Sequence, residues 1–446
     1  MKQYRVTSSA RYTRVHTGIF LLFLITSFLG AQEILSLDNA IQITLQNNYG
    51  ILIAKDNMEI AANNYHPGNA GFLPNLDISL SYSRSRINSE QTYSNGSSQT
   101  RKDADSKNSG AGAALVWTIF DGFKMFASYS KLSGLEKIER YKLKREIELT
   151  ISDVILTYYD VVRKKLILQV DREAVSISEQ RLQIVGQGYD LGVSSNLDVL
   201  QAKVDLNTDR SAFLGQEVEV ADAQSKLEKI LARPAQNSFT VVDSIKLGPV
   251  LTVENLQEKL YNQNTDLRIG QEDLAVAKYE LREMKAEKYP RLNLSSSYSY
   301  SRSESQAGFF NKNETNGYSY GASVSMNLFN GFNTMRREQN SRLTKRMKEI
   351  ALEELKTNIA ADFNNLMLKY QNSRTRMQLE QENVGVASEN VKIALEIYQL
   401  GTITPLQLRE VQRNYIAAKS RLISTAFEVK QNEVNLLRMS GSLVSE

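Results

Sequence analysis

Cysteine is absent from this 446-residue chain. Disulfides, thiolate metal sites and cysteine nucleophiles are therefore excluded, as is a lipid anchored through an N-terminal cysteine. Histidine is almost as scarce, with only His16 and His66. His66 alone lies beyond the first 31 residues, next to Pro67, where a structural or surface role suits it. Soft-metal centres and Ser-His or Cys-His nucleophile systems thus have too few parts. No Gly-Lys-Ser/Thr follows Gly186, Gly188 or Gly192, so these glycines form no phosphate loop. The adjacent acids Glu353 and Glu354 read as a solvated helix face. No enzyme, metal site or cofactor is expected.

Long apolar runs are missing too, save residues 19–29. That run is too short to span a membrane as a helix. It follows Lys2, Arg5, Arg11 and Arg14 and precedes Gly30 and Ala31. This is the layout of a secretory signal peptide, residues 1–31, with cleavage expected after Ala31. Four of the 54 basic residues leave with it, so 50 basic face 50 acidic residues in the exported chain. A neutral balance gives no hint of nucleic-acid binding.

What the chain has instead is repetition. Residues 189–200 (YDLGVSSNLDVL) have a twin at 398–409 (YQLGTITPLQLR). Seven-residue steps back from Tyr189 meet Leu182, Val175, Leu168, Val161, Val154 and Ile147; from Tyr398 they meet Val391, Val384, Met377, Tyr370 and Phe363. An apolar period of seven marks a helix seam packed in the coiled-coil manner. Gly192 and Gly401 then supply the helix terminators. Two long hairpins are predicted: a helix to 189 with a return helix 195–231, and a helix to 399 with a return helix 404–440. Residues 35–57 align with 251–273, and 72–86 with 288–302, at an offset of 216; residues 111–123 align with 320–332, and the turns with each other, at 209. The chain is thus a direct repeat, 32–231 and 251–440, joined by a linker at 232–250 with one extended stretch. Residues 88–109 and 303–317, rich in Ser, Asn and charge, read as exposed loops.

Flanking these loops are four period-two segments, expected as strands 72–86, 111–120, 290–302 and 318–329. Leu76, Ile78, Leu80 and Tyr82 alternate with Asp77, Ser79, Ser81 and Ser83; Tyr318, Tyr320, Ala322, Val324, Met326 and Leu328 alternate with Ser319, Gly321, Ser323, Ser325 and Asn327. Pattern alone fits both a soluble sheet and membrane-spanning strands of roughly 9–11 residues. The export signal, the serine-dominated face and the tyrosines near the strand ends favour the membrane. Four strands cannot close a barrel, and an open edge cannot remain in lipid. The chain must therefore oligomerise: two copies give eight strands with a filled interior, three give twelve with room for a lumen. The helical pattern spans on the order of 100 Å at 1.5 Å per residue.

These residues resemble the TolC-like outer membrane efflux protein family. The resemblance runs from Leu35 to Met439. It rests on the duplicated Pro-x-Leu strand starts, the Phe-Asp-Gly-Phe and Phe-Asn-Gly-Phe strand exits (120–123 and 329–332) and the paired Tyr-x-Leu-Gly turns. It implies a mixed fold, a membrane β-barrel continuing into a long α-helical coiled-coil barrel in the periplasm of a Gram-negative bacterium. It further implies a homotrimer with four strands per protomer and twelve in the barrel, set in outer membrane lipid. Such a trimer is a passive exit duct for efflux or type I secretion, docking on a periplasmic adaptor protein and an inner-membrane pump of RND or ABC type.

By the same resemblance, the turns form the periplasmic mouth, with Leu191, Gly192, Val193, Leu400, Gly401 and Thr402 as adaptor-docking positions. The family's two acidic gate positions fall on Gln407 and Glu410, and its basic linking position on Ile403, which cannot form that salt bridge. Asp198 is the first hairpin's equivalent of Gln407. It reads equally as a pore acid and as a first-turn acid after Ser195 and Asn196, favoured by the helix dipole. Tyr398 is a gate candidate, although it and Tyr189 also read as seam residues. The alternative from another class is a soluble periplasmic coiled-coil scaffold or adaptor. The cargo is not written in the sequence.

Overall fold

The computed structural model describes residues 33–233, 239–307 and 310–443. The expected signal peptide and residues 234–238 of the linker lie outside the described residues. The first repeat comprises β1 (Glu33–Ile34), α1 (Leu37–Asn47), α2 (Tyr49–Asn64), α3 (Pro67–Ala70), β2 (Asn75–Thr92), β3 (Ser98–Phe120), α4 (Lys124–Asp190) and α5 (Asn196–Ile230). The second comprises β4 (Phe239–Thr240), α6 (Val253–Gln263), α7 (Thr265–Ala286), β5 (Arg291–Ser305), β6 (Lys312–Ser325), α8 (Asn333–Gln399) and α9 (Pro405–Met439). β1 and β4 pair in parallel, so the linker returns beside the start of the first repeat.

The scaffold is two 67-residue helices, α4 and α8, each about 100 Å long at 1.5 Å per residue. The 35-residue return helices α5 and α9 cover only half that length. In the other half α4 packs against α2 and α7, and α8 against α7. Two apolar clusters sit where the partners change over. One gathers Leu35, Val154, Tyr158, Val161, Leu227 and Phe239; the other gathers Leu256, Leu260, Phe363, Met367, Tyr370 and Leu436. Tyr158 donates its hydroxyl to the Leu35 carbonyl at 2.9 Å, and the Leu251 N–H donates to the Tyr370 hydroxyl at 3.3 Å. Each buried phenol thereby ties its long helix to the same point of its repeat.

Towards the tip the packing departs from the seven-residue seam. Val154 and Val161 are buried, but Leu168, Val175 and Leu182 are half-buried and Tyr189 is exposed. The fully buried stripe of α4 there is Val170, Ala174, Ser178, Arg181 and Val185. Because α4 lies against both α5 and α9, its most enclosed face points between them, and that face carries a serine and an arginine.

A break at an asparagine was not expected where α1 passes to α2. The Asn48 amide oxygen accepts from Gly50 and Ile51 N–H, capping α2, while its NH2 donates to the Ile230 carbonyl at the end of α5. Asn264 does the same between α6 and α7, accepting from Leu267 N–H and donating to the Met439 carbonyl at 2.8 Å. One side chain satisfies an orphan donor of one helix and an orphan acceptor of another.

The remaining strands form an antiparallel sheet in the order β2-β3-β5-β6, with both outer edges unpaired. Residues 88–109 and 303–317, expected as loops, are largely strand. β2 runs to Thr92 and β3 starts at Ser98; β5 runs to Ser305 and β6 starts at Lys312. Beyond an apolar band both faces of a strand are polar, so the alternation that signals a strand fades while backbone pairing continues. At the other end β6 stops at Ser325 rather than at 329, and β2 begins at Asn75 rather than at 72.

Strand passes to helix at Asp121-Gly122-Phe123 and Asn330-Gly331-Phe332. Gly122 and Phe123 have φ of 72° and 68°, and Gly331 and Phe332 of 65° and 63°. Asp121 accepts from the Met125 N–H, and Asn330 from the Thr334 N–H. Two successive left-handed residues turn the chain back on itself, and a polar cap starts the helix.

Candidate functional site at the helical tip

Each hairpin turns on a glycine with positive φ, 77° at Gly192 and 74° at Gly401. The Val193 N–H reaches the Gly188 carbonyl and the Thr402 N–H reaches the Ile397 carbonyl, the Schellman-type closure that glycine permits. Capping boxes open both return helices. Ser195 and Asp198 bond reciprocally at the start of α5, and Thr404 and Gln407 at the start of α9. The Ser195 hydroxyl and backbone hold the Asp198 carboxyl below the usual aspartate range. Asp198 and Gln407 are thus structural first-turn residues, the first half-buried and the second exposed, and Glu410 is exposed one turn further along α9. The turns leave large apolar groups in solvent: Leu191 and Leu400 are each 81% exposed, and Val193 80%.

Between α4, α5 and α9 lies a groove of about 640 Å³ lined by Arg181, Asp198, Asp205, Asp209, Arg409 and Arg413 among others. Its centre is an ion-pair cluster. Arg409 of α9 donates to both Asp209 carboxylate oxygens of α5, at 2.8 and 2.9 Å, and to the Ser178 hydroxyl of α4 at 3.3 Å. Its Nε lies 3.8 Å from Asp205, which also pairs with Arg181 and accepts from Gln201 at 3.2 Å. The Arg409 and Asp209 side chains are 15% and 14% exposed. Burial alone would lower the Arg409 pKa, yet the hydrogen bonds and charge of Asp209 raise it on balance. One turn or more above, Glu173 of α4 accepts from Tyr415 at 3.1 Å and from Lys419, both on α9.

Arg409 therefore joins the two hairpins, a connection that Ile403, half-buried two residues beyond Gly401, cannot make. Sequence reading placed Arg409 at the end of the second turn motif but missed its partners, which lie 200 and 231 residues away. Tyr398 faces the same region: burial raises its hydroxyl pKa, and the nearby Asp198 charge raises it further. His66 caps α3, its Nδ1 accepting from the Gly68 N–H at 3.0 Å. Glu353 lies on the surface and pairs with Lys356.

The pattern of the family described as "Outer membrane efflux protein" matches residues 40–233 and 256–442. The chain is 23% identical over 418 residues to the pyoverdine export outer membrane protein OpmQ of Pseudomonas aeruginosa, covering 92% of this chain and 85% of that one. It is 24% identical over 328 residues to the alkaline protease secretion protein AprF of the same species, covering 70% of this chain and 66% of the relative, just under two thirds of its length. Among solved structures, the Campylobacter jejuni CmeC outer membrane channel superposes with a TM-score of 0.78 at 15% identity, over 91% of this chain and 86% of that one. That likeness is one of fold. No helix among the described residues is long and apolar enough to cross a membrane. The soluble scaffold reading is set aside, and this chain is a member of the outer membrane efflux protein family, resident in the outer membrane of Gram-negative bacteria.

Proposed function

We propose that three copies of the chain close their four-stranded sheets into a twelve-stranded barrel and form a passive exit duct. The observation that carries this is the sheet itself: both edge strands are unpaired, and lipid offers their backbone groups no partner. Three copies match a barrel with a water-filled lumen. The 100 Å helices continue the duct towards the inner membrane, where an adaptor protein and an energy-supplying pump of RND or ABC type would meet it. The exposed Leu191, Val193 and Leu400 suit an apolar docking contact with the adaptor. The chain itself performs no chemistry. Export of pyoverdine by OpmQ and secretion of an alkaline protease by AprF, as their names state, support a cargo that leaves the cell.

In this reading the tip is the gate. Arg409, held by Asp209 and Ser178, keeps the second hairpin against the first and narrows the mouth. Glu410, and Asp198 if it turns to the lumen, set a ring of acids that attracts cations. The test is the purified protein in detergent and in planar bilayers. A heat-dissociable trimer with cation-selective conductance is expected, and Glu410→Gln with Asp198→Asn should weaken the selectivity. A detergent-free monomer would overturn the duct. Wild-type selectivity in the double variant would remove the acid ring from these positions.

A further inference from the structure

The sheet carries its charge on one face. Pairing register places Leu76, Ile78, Leu80 and Tyr82 of β2 opposite Leu115, Ala113, Ala111 and Ser109 of β3; Tyr298 and Tyr300 of β5 lie opposite Ala113 and Ala111, and Tyr318 of β6 lies opposite Tyr298. This is the apolar, lipid-side face, ending in tyrosines. Two residues further towards the strand ends, about 7 Å along a strand, the same face changes character. Arg84 lies opposite Lys107, Arg86 opposite Asp105, Lys107 opposite Glu304, Arg302 opposite Glu314 and Glu304 opposite Lys312. The other face in these rows is Ser83, Ser85, Asn108, Ser106, Ser301, Ser303, Thr315 and Asn313. Charges that served only solubility would occupy both faces of a rim bathed in water. Here all eight point away from the lumen.

Five of the eight are basic: Arg84, Arg86, Lys107, Arg302 and Lys312. Asp105 binds Arg84 through both oxygens at 2.9 and 3.0 Å, Glu314 pairs with Lys312 at 2.9 Å, and Glu304 pairs with Arg302. Arg86 makes no ion pair among the described residues. The acids hold the guanidiniums extended along the sheet but leave the row net positive in every protomer.

We infer that this row, immediately beyond the tyrosine belt on the lipid-side face, is a binding surface for the phosphorylated headgroups of outer-leaflet glycolipid. The chemistry is complementary: arginine forks match phosphate oxygens, and basic residues at a membrane surface attract anionic headgroups. Acyl chains of the same lipid would lie along Leu76, Ile78, Leu80 and Tyr82. A protomer row of this kind, repeated around the barrel, would tie the trimer to its leaflet. The inference rests on the barrel reading above.

The test uses the full-length trimer in detergent micelles doped with a bisphosphorylated lipid A or its dephosphorylated form, reading the temperature at which the trimer dissociates. Ligand that binds only the assembled state raises that temperature by mass action. The phosphorylated lipid should raise it and the dephosphorylated form should not. Arg84→Gln with Arg86→Gln and Arg302→Gln should lose most of the rise. Arg86→Gln alone breaks no internal ion pair, so it should assemble normally and lose part of the rise. Arg101→Gln, in the projecting hairpin, should keep it. An equal rise in the triple variant, with the dephosphorylated lipid, or with inorganic phosphate at matched concentration, would overturn the inference while leaving the trimer intact. Absence of any trimer would instead fail the barrel reading, and the inference with it.

Discussion

The two repeats share a backbone and differ in their tips. Three devices that terminate or start elements are duplicated: the left-handed Gly-Phe pairs, the capping boxes, the bridging asparagines Asn48 and Asn264. The charged cluster is not. Ser178, Arg181, Asp205 and Asp209 of the first hairpin correspond, 209 residues on, to Ala387, Asn390, Asn414 and Ala418; Arg409 corresponds in reverse to Leu200. Termini cannot drift without leaving backbone groups unsatisfied, so both copies keep them. A charge on a helix flank is free to diverge. Here one hairpin carries the acids and the other the base, which makes each the other's partner.

The contrast breaks most sharply at the strand-to-helix turns. A Cβ on Gly122 would meet the Ala286 carbonyl oxygen at 2.5 Å and the Tyr289 Cβ at 2.7 Å, whereas one on Gly331 would meet only Asn333 at 3.9 Å. Both have positive φ, a cost of about 1–2 kcal/mol for alanine. Gly122→Ala adds overlap with backbone and should cost about 2–5 kcal/mol in all. Dissociation temperatures of the proposed trimer should therefore rank Gly331→Ala well above Gly122→Ala. Equal values would mean that the first repeat is no tighter at this turn than the second.

A smaller difference is expected at the two phenols. Tyr158→Phe leaves the buried Leu35 carbonyl without its 2.9 Å donor, while Tyr370→Phe removes an acceptor that serves the Leu251 N–H at 3.3 Å and the Arg374 guanidinium at 3.1 Å. Losses of about 1–3 and 0.5–1.5 kcal/mol follow, readable as unequal shifts in the same thermal assay.

Smaller still, and of opposite sign, is Glu148→Gln. Glu148 is buried on α4, bonded to the Thr265 hydroxyl at 2.8 Å with its other oxygen unpartnered; its counterpart 209 residues on is the exposed Thr357. Burial raises the Glu148 pKa above the ordinary 4.5. An acid with a raised folded-state pKa penalises the fold once it ionises, so its cost is absent below pH 4.5 and grows as pH rises through the folded value. Glu148→Gln should thus raise the dissociation temperature at neutral pH and leave it unchanged near pH 4. A loss at neutral pH would contradict this account of the buried carboxyl.

Much of this was legible in the sequence, because helix period, glycine stops and strand alternation are local. The seven-residue series located α4 and α8, and Gly192 and Gly401 located their ends. Two features were hidden for physical reasons. Strand beyond the apolar band is polar on both faces, so residues 88–109 resembled a loop. Arg409 sits in plain view, but its partners depend on how α9 lies against α4, which no local pattern encodes. The Asn48 and Asn264 breaks did carry a signal, since the two align at the 216-residue offset. It is a weak one, because asparagine is also common on exposed helix faces.

The link between the hairpins is tested most directly by reversing it. A fork between Arg409 and Asp209 contributes about 1.5–3 kcal/mol to the state that contains it, enough to move an open–closed equilibrium by tenfold or more at roughly 1.4 kcal/mol per decade. Single-channel conductance of the proposed trimer in planar bilayers should rise in Arg409→Asp, where a like-charged repulsion replaces the link in each protomer. It should return towards the wild-type value when Asp209→Arg is added to restore the pair with its polarity exchanged. Conductance unchanged by the single reversal, or raised and not lowered again by the second, would contradict a tip held shut by this pair.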